Sequence, residues 1–339
     1  MKVLVTGGAG YIGSTICTAL IERGHTPIIL DSLVTGRREF TVGKKFYHGD
    51  IADKELVKKI FEENRDIQSV IHCAALIVVS ESVEYPYEYY VENVSKSIEF
   101  FKTVKECGGD NIIFSSSASV YGDTDTIEVH ETATLEAKSP YARTKHMMEM
   151  VLEDYSNAYN LKAIALRYFN PLGADPKART GSYLENPSNV IGKIMGAAGN
   201  PNEVFHITGT DYDTRDGSGI RDYIHVWDLA VAHVHAIEHI DEAFAKEGKD
   251  HGILHINVGT GEGVTVKELV HKFQQVYGQE ITVKEGPRRP GDVAGAYANV
   301  TRAKELINWE SKYTLEEAIA HGLRWADEKV NILEQQRAN

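Results

Sequence analysis

The chain has 339 residues, of which 42% are apolar and 25% charged. That is one or two domains at roughly 150 residues each, and the composition excludes a disordered, collagen-like or low-complexity protein. Lys and Arg total 36 against 49 Asp and Glu, a formal net charge of −13. With no run of five basic residues, nucleic acid and anionic lipid are poor partners, and any anionic ligand needs positive charge placed locally.

Cys17, Cys73 and Cys107 are odd in number, widely spaced and without a C-x-x-C pair. They point away from a disulfide framework or zinc ribbon and toward a reducing, cytoplasmic setting. The opening Met1-Lys2-Val3-Leu4-Val5-Thr6 is too short for a signal h-region, and no stretch approaches 18 apolar residues. The expectation is a cytoplasmic protein with no membrane partner.

In chain order, residues 2–6, 27–30, 45–48, 69–73, 112–116 and 163–169 read as strands. Residues 12–23, 54–64, 87–107 and 142–159 read as helices between them. Runs such as Val3-Leu4-Val5 and Val70-Ile71 are continuously apolar, as in strands covered on both faces. This alternation predicts an α/β fold, a Rossmann-type doubly wound parallel sheet. After about residue 170, Gly, Pro and Asn crowd residues 170–202 and the rhythm breaks. Helical patterns return at 227–239, 266–277 and 315–330, with strand-like 204–208 and 253–258. The division expected is residues 1–170 for a cofactor and 171–339 for a smaller α/β unit, with strands from about 220–260 lent back to the first sheet.

The first strand runs into Gly7-Gly8-Ala9-Gly10-Tyr11-Ile12-Gly13. Gly7 permits a tight turn, Gly10 lets the backbone approach a pyrophosphate, and Gly13 lets the helix pack close. The helix N-terminus then holds the diphosphate with its free N–H groups. Such loops also serve ordinary turns, but here Asp31 follows Gly13 by 18 residues at the end of the second strand. A carboxylate there accepts from the adenosine ribose and repels a 2′-phosphate, so NAD is expected over NADP. Arg37 and Arg38 read as solvated loop charges.

Tyr141 and Lys145 are four residues apart, behind Pro140 at a helix start, and so share a face. A phenol is a poor base at neutral pH, but a fixed ammonium and a nicotinium ring favour its ionised form. Ser115, Ser116, Ser117 and Ser119 end a strand, where ligands of such sheets bind. Ser117 is the expected hydrogen-bond partner of a reacting sugar hydroxyl. A surface Tyr and Lys beside a Ser-rich turn is the bland alternative.

These residues resemble the extended short-chain dehydrogenase/reductase family. Gly49-Asp50-Ile51, Ser80-Glu81-Ser82-Val83, Arg167-Tyr168-Phe169-Asn170-Pro171, the run from Gly219 to Val226, and the run from Pro287 to Asp292 resemble its UDP-glucose 4-epimerase branch. The resemblance covers essentially the whole chain. It implies that Asp50 and Ile51 contact adenine and that Ala74, Ala75 and Asn93 line the cofactor cleft. Tyr11 and Ile12 lie in the phosphate loop and Phe169 by the nicotinamide. Asn170 and Asn189 fall near the substrate diphosphate, with Arg221 and Arg289 on its phosphates and Asp292 beside them. It also implies a homodimer through the helices at 87–107 and 142–159.

A nucleotide-sugar 4,6-dehydratase is the nearest rival, but that branch carries an Asp-Glu pair where this chain has Ala118-Ser119. An NAD-sensing regulator, a different class, would be expected to lose the Tyr/Lys pair. Several positions depart from the branch pattern: Ile77 replaces a common Lys, Lys96-Ser97 replace Gly-Thr, and Ile207-Thr208-Gly209 lacks an aromatic. Ala296, seven residues after Arg289, is small where some relatives carry Tyr, leaving room for a 2-acetamido group. His233, His235 and His239 could hold zinc by spacing alone but read more simply as packing and solvated residues, so no metal is expected.

Overall fold

The structure is a computed structural model, and it describes residues 1–122, 126–183, 189–200, 202–288 and 294–338. Seven parallel strands form the central sheet: β1 (Lys2–Thr6), β2 (Thr26–Asp31), β3 (Lys45–His48), β4 (Ile67–His72), β5 (Asn111–Ser115), β6 (Lys162–Tyr168) and β7 (Gly252–Val258). Their order is β7-β6-β5-β4-β1-β2-β3. The order reverses beside β1, where β4 and β2 flank it and Val5 pairs with both Ile71 and Ile29. Such a reversal opens a crevice at the carboxyl ends of the strands.

Alternation along each strand sorts its side chains into two cores. Val3, Val5, Ile71 and Ile113 face α1 (Tyr11–Glu22) and the helix Val226–Glu238. Leu4, Val70, Ile112 and Phe114 face α2 (Lys54–Glu63), α3 (Lys96–Glu106) and α4 (Pro140–Tyr159). Both faces being covered, β1 and β5 are continuously apolar through their middles. Ser139 caps α4 by accepting from the Ala142 N–H at 3.1 Å, with Pro140 in the first turn.

One expectation needs correction. The helix read over 87–107 is broken into Pro86–Tyr90, a π-helical turn at Val91–Ser95, and α3. The wider turn lets Asn93 bind both backbone groups of Leu76, a requirement that apolar periodicity does not carry. The helix at Val226–Glu238 packs on α1, and β7, within the stretch expected to be lent back to the first sheet, pairs in register with β6 from Gly252↔Lys162 to Val258↔Tyr168.

The remainder of the second half builds a separate core around Leu172, Ile194, Phe205, Ile207, Leu269 and Phe273. Its helices are α5 (Val190–Gly199), α6 (Val266–Tyr277) and α7 (Leu315–Ala338). Short strands join distant segments: Phe205–Thr208 pairs with Val283–Gly286, and Ile220–Arg221 lies between Val264–Thr265 and Gly295–Ala298. Between this unit and the strand ends lies a cleft of about 1540 Å³.

Candidate active site

One wall of the cleft is the turn after β1. Gly7 has φ +68°, and a Cβ there would meet the Ala74 nitrogen at 2.8 Å; a Cβ on Gly13 would lie 2.1 Å from the Gly7 oxygen. Gly10 caps α1 without a side chain, leaving the amides of its first turn to the cleft. Asp31 is buried, its Oδ2 accepting from Ala9 N–H at 2.9 Å and its Oδ1 from Leu33 N–H at 2.8 Å. Burial pushes its carboxyl above the usual range, and its unused lone pairs suit ribose hydroxyls. A cradle too tight for side chains, a helix terminus and a buried carboxylate together fit a dinucleotide.

Gly7, Gly10, Tyr11, Ile12, Gly13, Asp31, Asp50, Ile51, Ala74 and Ala75 all line the cleft. Tyr11 also donates to the Gly173 carbonyl at 2.7 Å, tying the turn to the second unit. Asn93 does not reach the cleft. Its buried amide is spent on Leu76 and on the Thr144 hydroxyl, so it props the wall from behind. Lys96 reaches the cleft instead, donating to Asp50 Oδ2 at 2.6 Å and to Glu92 at 2.8 Å. Ile77 lines the wall half-exposed. The guanidinium of half-buried Arg37 lies over the Tyr183 ring and that of exposed Arg38 over the Phe46 ring, each 5.2 Å from the ring centre.

At the centre, Tyr141 is buried in the first turn of α4, with the Ser117 hydroxyl near enough to favour its ionised form. Lys145 Nζ donates to the Ser115 carbonyl at 2.8 Å and lies 5.9 Å from the Tyr141 ring centre. Burial raises Tyr141 and the Ser117 hydroxyl opposes it. Burial also draws Lys145 down to about 8. The protein by itself therefore holds Tyr141 as a neutral phenol. The ionised form needs the further positive charge of an oxidised nicotinamide.

The opposite wall carries the groups expected for a sugar nucleotide. Phe169, Asn170, Asn189, Arg221 and Ala296 all line it. Asn189 caps α5, its Oδ1 accepting from Gly192 N–H at 2.8 Å, which leaves its amide donors available. Arg221 Nη1 donates to the carbonyls of Ile220 at 2.7 Å and Ala294 at 3.0 Å. Among the described residues no carboxylate pairs with it. Asp222, its neighbour in sequence, is buried and accepts from Thr260, Gly261 and Ala298 instead. Arg289 and Asp292 lie outside the described residues.

Some neighbours carry no linear signal. Gly295, at φ +110°, passes so close that a Cβ would strike the Ile220 oxygen at 1.8 Å and the Arg221 Nη1 at 1.9 Å. Tyr212 packs on Gly209 under the Arg288 guanidinium, 4.0 Å from its ring centre. An aromatic thus stands beside Gly209 although the segment before it has none. His233, His235 and His239 bind Ser115, the Ile307 carbonyl and Glu242 separately.

Comparison with known proteins matches this geometry. The model of the NAD dependent epimerase/dehydratase family covers residues 3–259. The UDP-glucose 4-epimerase of Bacillus subtilis (strain 168) is 40% identical over 341 residues, covering 98% of each chain. Among solved structures, the UDP-glucose-4-epimerase from Stenotrophomonas maltophila, with bound NAD and formylated UDP-arabinopyranose, superposes with a TM-score of 0.90. It is 36% identical and covers 98% of this chain and 99% of its own. The UDP-Glc/GlcNAc 4-epimerase of Campylobacter jejuni gives a TM-score of 0.82 at 34% identity, over 96% of this chain and 99% of its own. The chain belongs to the NAD dependent epimerase/dehydratase family, and within it to the UDP-glucose 4-epimerase branch.

Proposed function

We propose that the chain interconverts UDP-glucose and UDP-galactose at C4, with NAD as its cofactor. The observation that carries this is one cleft lined by the glycine turn, by Ser117 and Tyr141 and by Arg221, with the Lys145 ammonium buried beside the Tyr141 ring. NAD bound in this cleft would supply a reversible two-electron acceptor for the C4 hydrogen, so that no net oxidation would occur.

The residues manage the proton. Ser117 Oγ and Tyr141 Oη hold the C4 hydroxyl, and Tyr141 accepts its proton as the C–H bond breaks. The sugar becomes a 4-ketone. Lys145 offsets the negative charge on the phenolate so formed, and Tyr141 later returns the proton to the re-formed hydroxyl. Inversion requires the ketone to turn over while its nucleotide stays clamped, which Arg221, Asn170, Asn189, Arg289 and Asp292 serve. Elimination of water is not supported, because Ala118-Ser119 bring no acid/base pair.

Ala296, paired in register with Arg221, leaves space for a 2-acetamido group, and N-acetylated UDP-hexoses are a second substrate class. Val83, Tyr87, Met147, Met150 and Tyr159 are exposed apolar side chains on the segments around α3 and α4, a surface suited to a homodimer. Free cysteines suit the cytoplasm. The test is incubation with UDP-galactose and detection of UDP-glucose. Tyr141→Phe is expected to keep NAD and lose at least about a hundredfold in turnover. A fully active Tyr141→Phe enzyme would remove the assignment.

A further inference from the structure

Beneath the Ser117–Tyr141–Lys145 group lies a buried polar network that the reaction leaves unused. Glu149 stands one helical turn beyond Lys145 and two beyond Tyr141, on the same face of α4, and is 2% exposed. Its carboxylate makes a two-pronged ion pair with Arg167 of β6: Nε to Oε1 at 3.0 Å and Nη2 to Oε2 at 2.6 Å. Oε1 also accepts from the Ser116 hydroxyl at 2.5 Å, and Ser116 directly precedes Ser117. Arg167 extends the network to the Tyr121 hydroxyl at 3.0 Å, and Tyr121 donates to Asn257 of β7 at 2.8 Å. One carboxylate thus joins α4, the end of β5, and β6.

Stability alone is a weak reason for this pair. Desolvating two charges costs about what their attraction returns, and apolar replacements of such pairs are often neutral or stabilising. Its place suggests a second role. Lys145 is faced by His72 and Cys73 at the end of β4, by Tyr141 and Glu149 on α4, and by the Ser115 carbonyl and Phe114 ring of β5. Burial lowers Lys145, while Cys73 and then Glu149 raise it. Burial pushes Cys73 up to about 11 and His72 down to about 3, so both are neutral where Lys145 titrates. Burial likewise keeps Tyr141 protonated. His255, 3.5 Å from Glu149 Oε2, is drawn down to about 4 and is neutral as well. Glu149 is the negative charge among these groups.

We propose that Glu149 is a positioning residue for the proton-handling group: its carboxylate holds the Ser116–Ser117 turn and supplies the negative charge that keeps Lys145 an ammonium. The consequence for turnover rests on the epimerase reading; the effect on Lys145 does not.

The test is an NMR pH titration of the full chain labelled at lysine Cε, with Lys145 assigned by its absence in Lys145→Met. In Glu149→Gln, and in the apolar pair Glu149→Leu with Arg167→Met should the single variant not fold, the Lys145 midpoint is expected to fall. A fall of half a unit lowers the ammonium-to-amine ratio about threefold at fixed pH. The alkaline limb of UDP-galactose turnover should move down with it. Glu149→Asp, which keeps the charge, should restore the midpoint. Ser116→Ala should leave the midpoint in place and lower kcat severalfold at unchanged KM. An unmoved midpoint in folded variants lacking the Glu149 charge overturns the electrostatic role, and wild-type kcat in Ser116→Ala overturns the turn-holding role. A lowered midpoint in a protein inactive on every UDP-hexose sustains the placement of Glu149 and sinks the epimerase reading instead.

Discussion

The two walls of the cleft hold their ligand groups by different means. On the cofactor wall the work is done by backbone and by closeness in sequence: Gly7, Gly10, Gly13 and Asp31 all belong to one β-α-β unit. On the facing wall the work is done by side chains whose direction comes from distant segments. Arg221 donates one bond to the carbonyl of the adjacent Ile220 and another to that of Ala294, and its path is open only because residue 295 has no Cβ. A phosphate turn is a local object, whereas the guanidinium clamp is a matter of strand register.

Breaking the first wall should have the largest effect. Gly13→Ala places a methyl 2.1 Å from a backbone oxygen, so the turn must open. NAD affinity is expected to fall about a hundredfold, equivalent to roughly 3 kcal/mol, when measured by calorimetry. Undiminished affinity would show that the turn is not the cradle.

Gly295→Ala attacks the second wall through a residue with no functional group. Its Cβ would displace Arg221, so KM for UDP-galactose should rise about tenfold, or some 1.4 kcal/mol, with NAD affinity unchanged. Equal loss of NAD would show that the walls are not independent. Smaller and more selective is Ala296→Tyr, expected to suppress N-acetylated UDP-hexoses about tenfold more than UDP-glucose, within what a shape difference in a pocket supplies. Parallel loss on both substrate classes would count against a size filter at this position.

The same contrast governs what could be read in advance. The strands at 2–6 and 45–48 and the glycine turn are legible because apolar runs and glycine spacing are consequences of burial and close approach within a few residues. Tyr141 and Lys145 are legible because helical period places them together. Asn93 is placed by a tertiary requirement. Its amide is drawn to Leu76, seventeen residues back, and only the π-helical turn reveals that direction. Lys96 stood in the sequence only as a departure from the branch pattern, yet it reaches Asp50 across the gap between α3 and the loop after β3. Tyr212 under Arg288 had no signal at all, since nothing local ties residues that far apart.

The chain's own order of residues determined a doubly wound sheet, a dinucleotide turn and a Tyr/Lys pair, because periodicity, turn geometry and helix spacing act over short range. It also set the −13 charge that made an inward-facing cationic set necessary. Tertiary structure alone decided that Asp222 is a loop anchor while Arg221 faces the cleft. It also decided that Glu149 meets Ser116 and Arg167 beneath the reacting group. Those outcomes depend on which strands become neighbours, and buried charges accept only partners that the completed packing brings within hydrogen-bond reach.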